Sequence, residues 1–393
     1  MVPSVVRAAP PRIVSGRLRI WREHRRWLIG QALVWGIGVA VLRLVVVPPE
    51  SCPPVSSAAV RQAISEGTAW LARGQREDGR FLYGYFADRD EVSSDYNITR
   101  HAGVLDALYR GGRIRVADDG LRYVRDNLVR SDGWTAFAPV DEYASAGANA
   151  LLLVALIHRR QATGDVRYDG LARRLARFLV AQQRPDGSVL LYWRPDTRRR
   201  VPGVFGTYST GEAFYALALM HRTFPAEGWE RPAHRVADYL ATRRDEAEGH
   251  AFRQPDHWAA YGLAVLAPAG LTDVEAEYGR WLAGYFGFFV RFESQHTRRG
   301  LISFEESGAG LGTTGEATSA LWRLAGEDRR LADLRDELGA RSTCLAGILV
   351  ERQVPAADAN PLARGAWFSD GYTQMDDQQH AVAALLGSSQ VLR

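Results

Sequence analysis

The chain has 393 residues, 46% of them apolar and 24% charged, enough to bury a sizeable core and too apolar for a disordered polymer. All 49 basic residues are arginine, set against 45 acids, for a formal net charge of +4. Seven of these arginines, with Glu23 as the only acid, fall within residues 1–26, so the remainder is slightly acidic and a general basic groove for nucleic acid is excluded.

The arginine-rich tail leads into Trp27 to Val47, an apolar run whose only charge is Arg43. A run of about 20 residues can cross a bilayer, and Arg43 stands near its far end, where the side chain can snorkel to the interface. The positive-inside rule keeps the tail cytoplasmic and exports everything after Pro48. A cleaved signal peptide is the alternative, although the run is long for one and no small-x-small site follows. The expected organisation is a cytoplasmic tail at 1–26, a single-pass cell-membrane anchor at 27–47, a linker at 48–56 and an extracytoplasmic domain at 57–393. The two cysteines, Cys52 and Cys344, allow at most one disulfide. Cys344 lies in an apolar helical stretch and reads as a buried thiol.

Twelve helical segments follow, near 58–75, 97–110, 117–130, 145–163, 165–183, 208–223, 228–243, 256–268, 273–292, 312–326, 330–351 and 376–387. They alternate in chemistry. First members are amphipathic: in 165–183, Leu171, Leu175, Phe178 and Leu179 form one stripe while Arg173, Arg174 and Arg177 point elsewhere. Second members, such as 148–157, 213–220, 259–267 and 381–386, are apolar or small nearly all round and must be covered on most sides. Links into second members span about 12 to 24 residues and links between pairs about 2 to 6, which puts the elaboration on one face. The expected class is all-α: an (α/α)6 toroid of six helical hairpins, closed because no polar capping repeats stand at its ends. Gln75–Phe81 and Gln183–Val189 share an Asp-Gly turn leaving an outer helix, with the next apolar residue as a plug, and Ser131 to Trp134 is a shorter echo.

The six inner-helix starts should ring one rim. They are Ser94 to His101, Asp141-Glu142-Tyr143, Tyr208 to Glu212, Gln254 to Trp258, Thr313 to Glu316 and Met375 to His380. Acids, amides and aromatic rings converging on a bowl suit a sugar cleft, where rings stack on pyranoses and acids take hydroxyls. Glu212 and Glu316, each in a Thr-Gly-Glu-Ala phrase, are the candidate catalytic pair, a general acid and a general base across a glycosidic bond. A structural alternative stands beside this: Ser209-x-x-Glu212 and Thr313-x-x-Glu316 also read as capping boxes. His101 and Tyr208 are further catalytic candidates. Asp95 is expected to cap its helix while Tyr96, Asn97 and Arg100 divide between rim and packing, with Arg100 able to clamp a carboxylate. Tyr143, His257, Trp258, Asp376, Asp377 and His380 complete the candidate binding set; of the adjacent Asp376 and Asp377, one is expected to be a cap or exposed. Each histidine also reads as a core residue bonded to a neighbouring helix. Glu305 and Glu306 lie in a long loop suited to a lid or rim. Arg198, Arg199 and Arg200 form a basic cluster that reads as a solvated loop or an anion site. No His-x-x-x-His or Cys-x-x-Cys spacing is present, so no metal and no cofactor are expected.

The phrases Asp95 to Gly103, Gly147 to Leu151 and Gln379-His380-Ala381 resemble recurrent phrases of bacterial toroid proteins, and residues 56–390 resemble the six-hairpin glycosidase superfamily. That resemblance implies glycoside hydrolases, uronate-acting hydrolases and lyases, or sugar epimerases, and fixes no catalytic residue. The expected function is a membrane-anchored extracytoplasmic carbohydrate-active enzyme, glycoside hydrolase-like, acting on a cell-envelope or secreted polysaccharide. A uronate lyase or epimerase would instead use Tyr208 or His101 for proton transfer, with Arg100 on the carboxylate. Terpene cyclases share the toroid, and Asp88 to Glu91 approximates but does not complete their acid motif. Lanthionine cyclase-like toroids need a Cys, Cys, His zinc site that two distant cysteines cannot provide. A non-catalytic scaffold binding glycan or protein through the same rim is the remaining alternative.

Overall fold

In the computed structural model, which describes residues 14–43, 50–139, 143–294 and 308–393, the alternation of half-apolar and wholly apolar segments becomes helical hairpins. One compact unit holds α1 (Val14–Val41) and a second begins at Glu50. The second contains six pairs: α2 and α3 (Ser57–Arg73, Ile98–Arg110), α4 and α5 (Ile114–Asp126, Ala146–Thr163), and α6 and α7 (Asp169–Gln182, Ser209–Thr223). They continue with α8 (Glu230–Thr242), extended by the short α9 (Arg244–Glu248), and α10 (His257–Leu266), then α11 and α12 (Asp273–Glu293, Gly308–Glu327), and α13 and α14 (Arg335–Arg352, Met375–Val391).

The burial of each helix follows its pattern. Outer α4 buries only Ala117, Gly120, Leu121 and Val124, one stripe at helical spacing. Inner α5 buries every residue from Ala146 to Ile157, because α3 and α7 pack against its two sides. The inner helices touch in the order α3, α5, α7, α10, α12, α14, and α14 returns to pack on α3 and α2. The ring is closed. At the seam Ser57 Oγ donates to the carbonyl of Leu392, 3.1 Å away and 335 residues on. Truncating a fully covered inner residue such as Leu153 would cost about 2–5 kcal/mol through lost transfer energy and an unfilled cavity.

Among the described residues eight short strands lie in the long links, a feature the all-α expectation missed: β1 (Gly84–Phe86), β2 (Glu91–Val92), β3 (Leu128–Ser131), β4 (Trp134–Phe137), β5 (Ala144–Ser145), β6 (Tyr192–Arg194), β7 (Arg199–Arg200) and β8 (Tyr372–Gln374). Antiparallel β1 and β8, with Gly84 opposite Gln374, stitch the first hairpin's link to the last's. Residues 128–130, expected to end a helix, belong instead to β3, and Gly133 at φ +79° turns a β3–β4 hairpin where a helix exit was expected. The other two Asp-Gly turns follow the sequence: Gly79 and Gly187 take positive φ, and Phe81 and Val189 are buried plugs.

The expectation for the cysteines needs a correction. Cys52 and Cys344 form a disulfide, so Cys344 is not a free buried thiol. The segment ahead of α2 lies along α13, where Glu50 accepts from Arg341 at 3.1 Å and a Cβ on Gly347 would meet the Pro53 carbonyl at 2.4 Å. That contact brings the two sulfurs together. Among the described residues no helix is long and apolar enough to cross a membrane, and 44–47 of the expected span lie outside them. Within α1, Trp27, Leu33 and Trp35 are exposed.

Candidate active site

The inner helices begin at the bowl through caps that aim particular side chains inward. Asn97, in extended conformation, accepts from Thr99 N and Arg100 N and starts α3, so it and not Asp95 is the cap. Asp95 is exposed and bonded to Ser93. One turn on, Arg100 donates to Gln374 Oε1 at 2.7 Å and to the Tyr83 hydroxyl, and ion-pairs with Asp376 at 3.3 Å. Asp256 caps α10 through Trp258 N and Ala259 N and pairs with the buried Arg244 at 3.1 Å. Burial drives its pKa up to about 6 against the pull of Arg244. The cap sets His257 and Trp258 on the first turn.

The two Thr-Gly-Glu phrases are not capping boxes. Tyr208 stands at the cap position of α7 without a side-chain bond, and Ser209 Oγ donates back to Gly206 O. In the second phrase α12 begins at Gly308, which puts Glu316 two turns inside the helix. The glycines serve close approach: a Cβ on Gly211 would sit 2.3 Å from the Asp256 carboxylate. On the neighbouring inner helix, a Cβ on Gly147 would lie 2.2 Å from Glu212 Oε2, so α5 leaves room for that carboxyl.

A cavity of about 440 Å³ opens between these starts, with Glu212, His257 and His380 in its wall together with Asn97, Arg100, Tyr208, Trp258, Asp376 and Gln379. Glu212 is 6% exposed and its carboxyl makes no hydrogen bond among the described residues. Burial, then the nearby Asp256, push its pKa up to about 8, with His380 opposing and Asp376 adding, so it carries a proton at neutral pH. His380 Nδ1 lies 2.6 Å from Glu316 Oε1, while its Nε2 faces Gln379 at 3.2 Å and Asp376 at 3.7 Å. Burial alone would lower its pKa; Glu316 first, then Asp376 and Asp377, override that and carry it up to about 9. Its neighbour behaves oppositely. The His257 ring is 5.3 Å from that of His380, burial and this neighbouring cation hold its pKa well below 6.5, and its Nε2 is buried without a partner. The pair is therefore one neutral imidazole and one imidazolium.

The other candidates fall elsewhere. His101 is fully buried, with Nδ1 2.6 Å from the Tyr96 hydroxyl and Nε2 3.2 Å from the Gly120 carbonyl, and Phe81, Tyr123 and Phe137 enclose it. It does not reach the cavity. Burial lowers its pKa to about 4. Asp377 accepts from Ala309 N and Gln374 N, a cap that also pins the start of α12, while Asp376 faces the bowl; the two acids divide as the sequence suggested. Tyr143 is stacked loosely on Tyr192 at 5.0 Å, and with Tyr96 they line a smaller cavity of about 260 Å³ that shares Asn97, Thr99 and Ser145 with the first. Asp141, Glu142, Glu305 and Glu306 lie outside the described residues. Gln379 and Tyr192 were missed. Asp376, Gln379 and His380 stand at i, i+3 and i+4 on one helical face, a signal the sequence held; Tyr192 had none beyond being an aromatic residue in a long link.

A metal-ligand set is also present: one ligand atom from each of His257, Glu316 and His380 lies within 4.8 Å of the others. His380 Nδ1 and Glu316 Oε1 already share a hydrogen bond, whereas Glu316 Oε2 and His257 Nε2 are buried without partners among the described residues, so a cation would compete with the proton that His380 carries.

No protein-family profile matches the sequence, and no curated protein does. Solved structures do. The alpha-1,6-mannanase GH76A from a Salegentibacter species superposes with a TM-score of 0.60 at 16% identity, covering 86% of this chain and 100% of that one. Cellobiose 2-epimerase from Spirochaeta thermophila gives 0.58 at 13% over 85% and 96%, and a sugar epimerase from a ruminal bacterium 0.57 at 11% over 85% and 98%. The fold shared with these structures is the (α/α)6 toroid. At these identities the likeness speaks for the (α/α)6 toroid and leaves chemistry to the residues in the bowl.

Proposed function

We propose that this protein is a carbohydrate-active enzyme that moves protons at a sugar unit bound in the bowl, in the manner of an epimerase or isomerase. The observation that carries this reading is the His257–His380 pair, held in opposite protonation states with ring centroids 5.3 Å apart in one cavity wall. Neutral His257 has a free Nε2 to take the proton from the carbon beside a sugar carbonyl. The C–H electrons then form the carbon–carbon double bond of an enediol while the carbonyl electrons collect on oxygen, and an acid must protonate that oxygen. His380, kept cationic by Glu316, and the protonated Glu212 are both in place to donate. Return of a proton to the opposite face of the carbon inverts it; return to the neighbouring carbon isomerises the sugar. Named structural neighbours include two sugar epimerases, which supports the substrate class.

A second reading rests on Glu212. A buried, protonated carboxyl without a partner suits a general acid for glycosidic cleavage, and a mannanase is among the neighbours. The expected partner Glu316 is committed to His380, so the second carboxylate would be Asp376. Incubation with reducing hexoses and disaccharides in D2O separates the two. Deuterium entering at C2, absent in His257→Asn, supports proton transfer at carbon; new reducing ends from alpha-1,6-mannan or another polysaccharide without such exchange would overturn it in favour of hydrolysis.

An exported, membrane-tethered location belongs to the same proposal. The Cys52–Cys344 disulfide favours an oxidising compartment, and the arginine-rich tail before an apolar run supports an anchor with the tail inside. Protease treatment of intact cells should remove the toroid and spare the first 26 residues; full protection would refute it.

A further inference from the structure

The inner helices end at a second cavity, of about 800 Å³, to which each contributes its last turns. One residue from each marks it: Arg110, His158, Arg222, Tyr261, Arg323 and Ser389. Five arginines line it against one acid, Glu327. Arg110 is partly answered by Asp106, 3.5 Å away, but Asp106 also bonds His158. Arg323 is not answered at all. It makes no hydrogen bond or ion pair among the described residues, its Nε is buried without a partner, and its guanidinium lies 5.6 Å above the Tyr261 ring. Tyr261 is itself 1% exposed, and its hydroxyl is a second buried group without a partner.

Offsetting the negative ends of the helix dipoles would be the ordinary use of arginines here. Such side chains bond back to the last carbonyls, and neither Arg222 nor Arg323 does so among the described residues. Burial presses the Arg323 pKa down, Tyr215 and Tyr261 oppose it, and Arg110 and Arg222 add to it, so the cations repel one another across the cavity. Arg323 and Arg110 are half-buried and Arg222 is exposed, so water relieves only part of this repulsion and an anion seated among the three would relieve more. A carboxylate satisfies one guanidinium fork, whereas a tetrahedral oxyanion accepts from several at once.

We propose that this end of the ring is a second binding site for a phosphate group, gripped by Arg323, Arg222 and Arg110 with the Tyr261 hydroxyl, and roomy enough for an organic carrier. The site is independent of the chemistry assigned to the bowl. A partition of rings separates the two: Tyr261 stacks on Tyr215 at 5.0 Å, both lie about 6 Å from Trp258, and Trp258 is 5.9 Å from His380.

The phosphate has two sources, a soluble phosphorylated compound or a phospholipid headgroup, and two arms distinguish them. Purified full-length protein is titrated calorimetrically with inorganic phosphate and pyrophosphate at constant ionic strength, and floated with vesicles of phosphatidylglycerol or phosphatidylcholine. Saturable binding, weakened about tenfold or more in Arg323→Gln and unchanged in Arg198→Gln of the exposed cluster, is expected from loss of a charged hydrogen-bond donor. Loss confined to the vesicle arm assigns a headgroup, and loss in the titration assigns a soluble ligand; either supports the site. Absence of binding in both arms, equal effects of chloride, or wild-type binding by Arg323→Gln would overturn it. Should Arg323→Gln fail to fold, Arg222→Gln, altered at an exposed side chain, makes the same comparison, and wild-type binding there overturns the proposal.

Discussion

Glu316 meets the Nδ1 of His380 at 2.6 Å, joining two inner helices at the floor of the bowl with both residues buried. The raised pKa of His380 has a thermodynamic counterpart: the fold prefers the protonated ring, so its contribution to stability is complete below about 6.5 and disappears as pH climbs through about 9. Glu316→Gln should remove most of that contribution, of the order of 3 kcal/mol. Urea midpoints should slope downward up to about pH 9 for the wild type, whereas in the variant the decline should be shallower and end near pH 8, where Glu212 finishes titrating. The alkaline limb of any activity profile should move to lower pH with it.

Glu212 has the opposite balance. Its folded pKa, raised from 4.5 to about 8, means stability is lost as pH rises across that interval, since ionisation in a buried wall is resisted. Glu212→Gln should therefore be a few kcal/mol more stable than wild type at pH 8, while turnover falls about 10²- to 10⁴-fold. A helix-capping glutamate would behave in reverse, and thermal melts with rate measurements on one preparation decide the matter.

His101 is expected to matter for folding alone. With a pKa near 4, it supports the fold at pH above about 6.5 and withdraws that support as pH falls through 4, because the unfolded ring binds the proton more readily. Its replacement by alanine leaves the Tyr96 hydroxyl with only the Phe81 N–H and opens space among Phe81, Tyr123 and Phe137, at a cost of about 2–4 kcal/mol. Activity per folded molecule should remain at the wild-type value; a large loss of rate without a loss of stability would contradict the placement.

The disulfide closes a span of 292 residues. Chain-entropy arguments give such a cross-link about 6 kcal/mol as an upper bound. Cys344→Ser, or reduction of the wild type, should lower the melting temperature while leaving activity at 25 °C intact, since the bond lies on α13 and away from the bowl's wall.

The helices were legible because each buries a surface its own residues announce: Leu171, Leu175, Phe178 and Leu179 on one stripe, or the unbroken apolar run of α5. Helix starts were legible to within a few residues, and so was the convergence of Glu212, His257 and His380. The function of a start residue was not. Thr313-x-x-Glu316 has the form of a capping box, but Asp377, contributed by another helix, starts α12 earlier by accepting from Ala309 N, and Glu316 is left inside the helix, free to meet His380. The rim strands are two to four residues long and carry no period of their own; β1 exists because Gly84 finds Gln374 almost 300 residues later. The Cys52–Cys344 bond was hidden for the same reason, as it depends on where the chain ahead of α2 comes to rest.

That Ser57 reaches Leu392 has a bearing on biosynthesis. A nascent chain emerging amino end first can assemble five hairpins into an open crescent, but the crescent lacks both the helix that seals it and the imidazole that sits there. Competence is thus acquired all at once, with the final segment, rather than accumulating hairpin by hairpin. Because the two ends lie side by side, a circularly permuted gene that joins them and opens the surface turn between α6 and β6 should yield the same bowl, with a different hairpin arriving last.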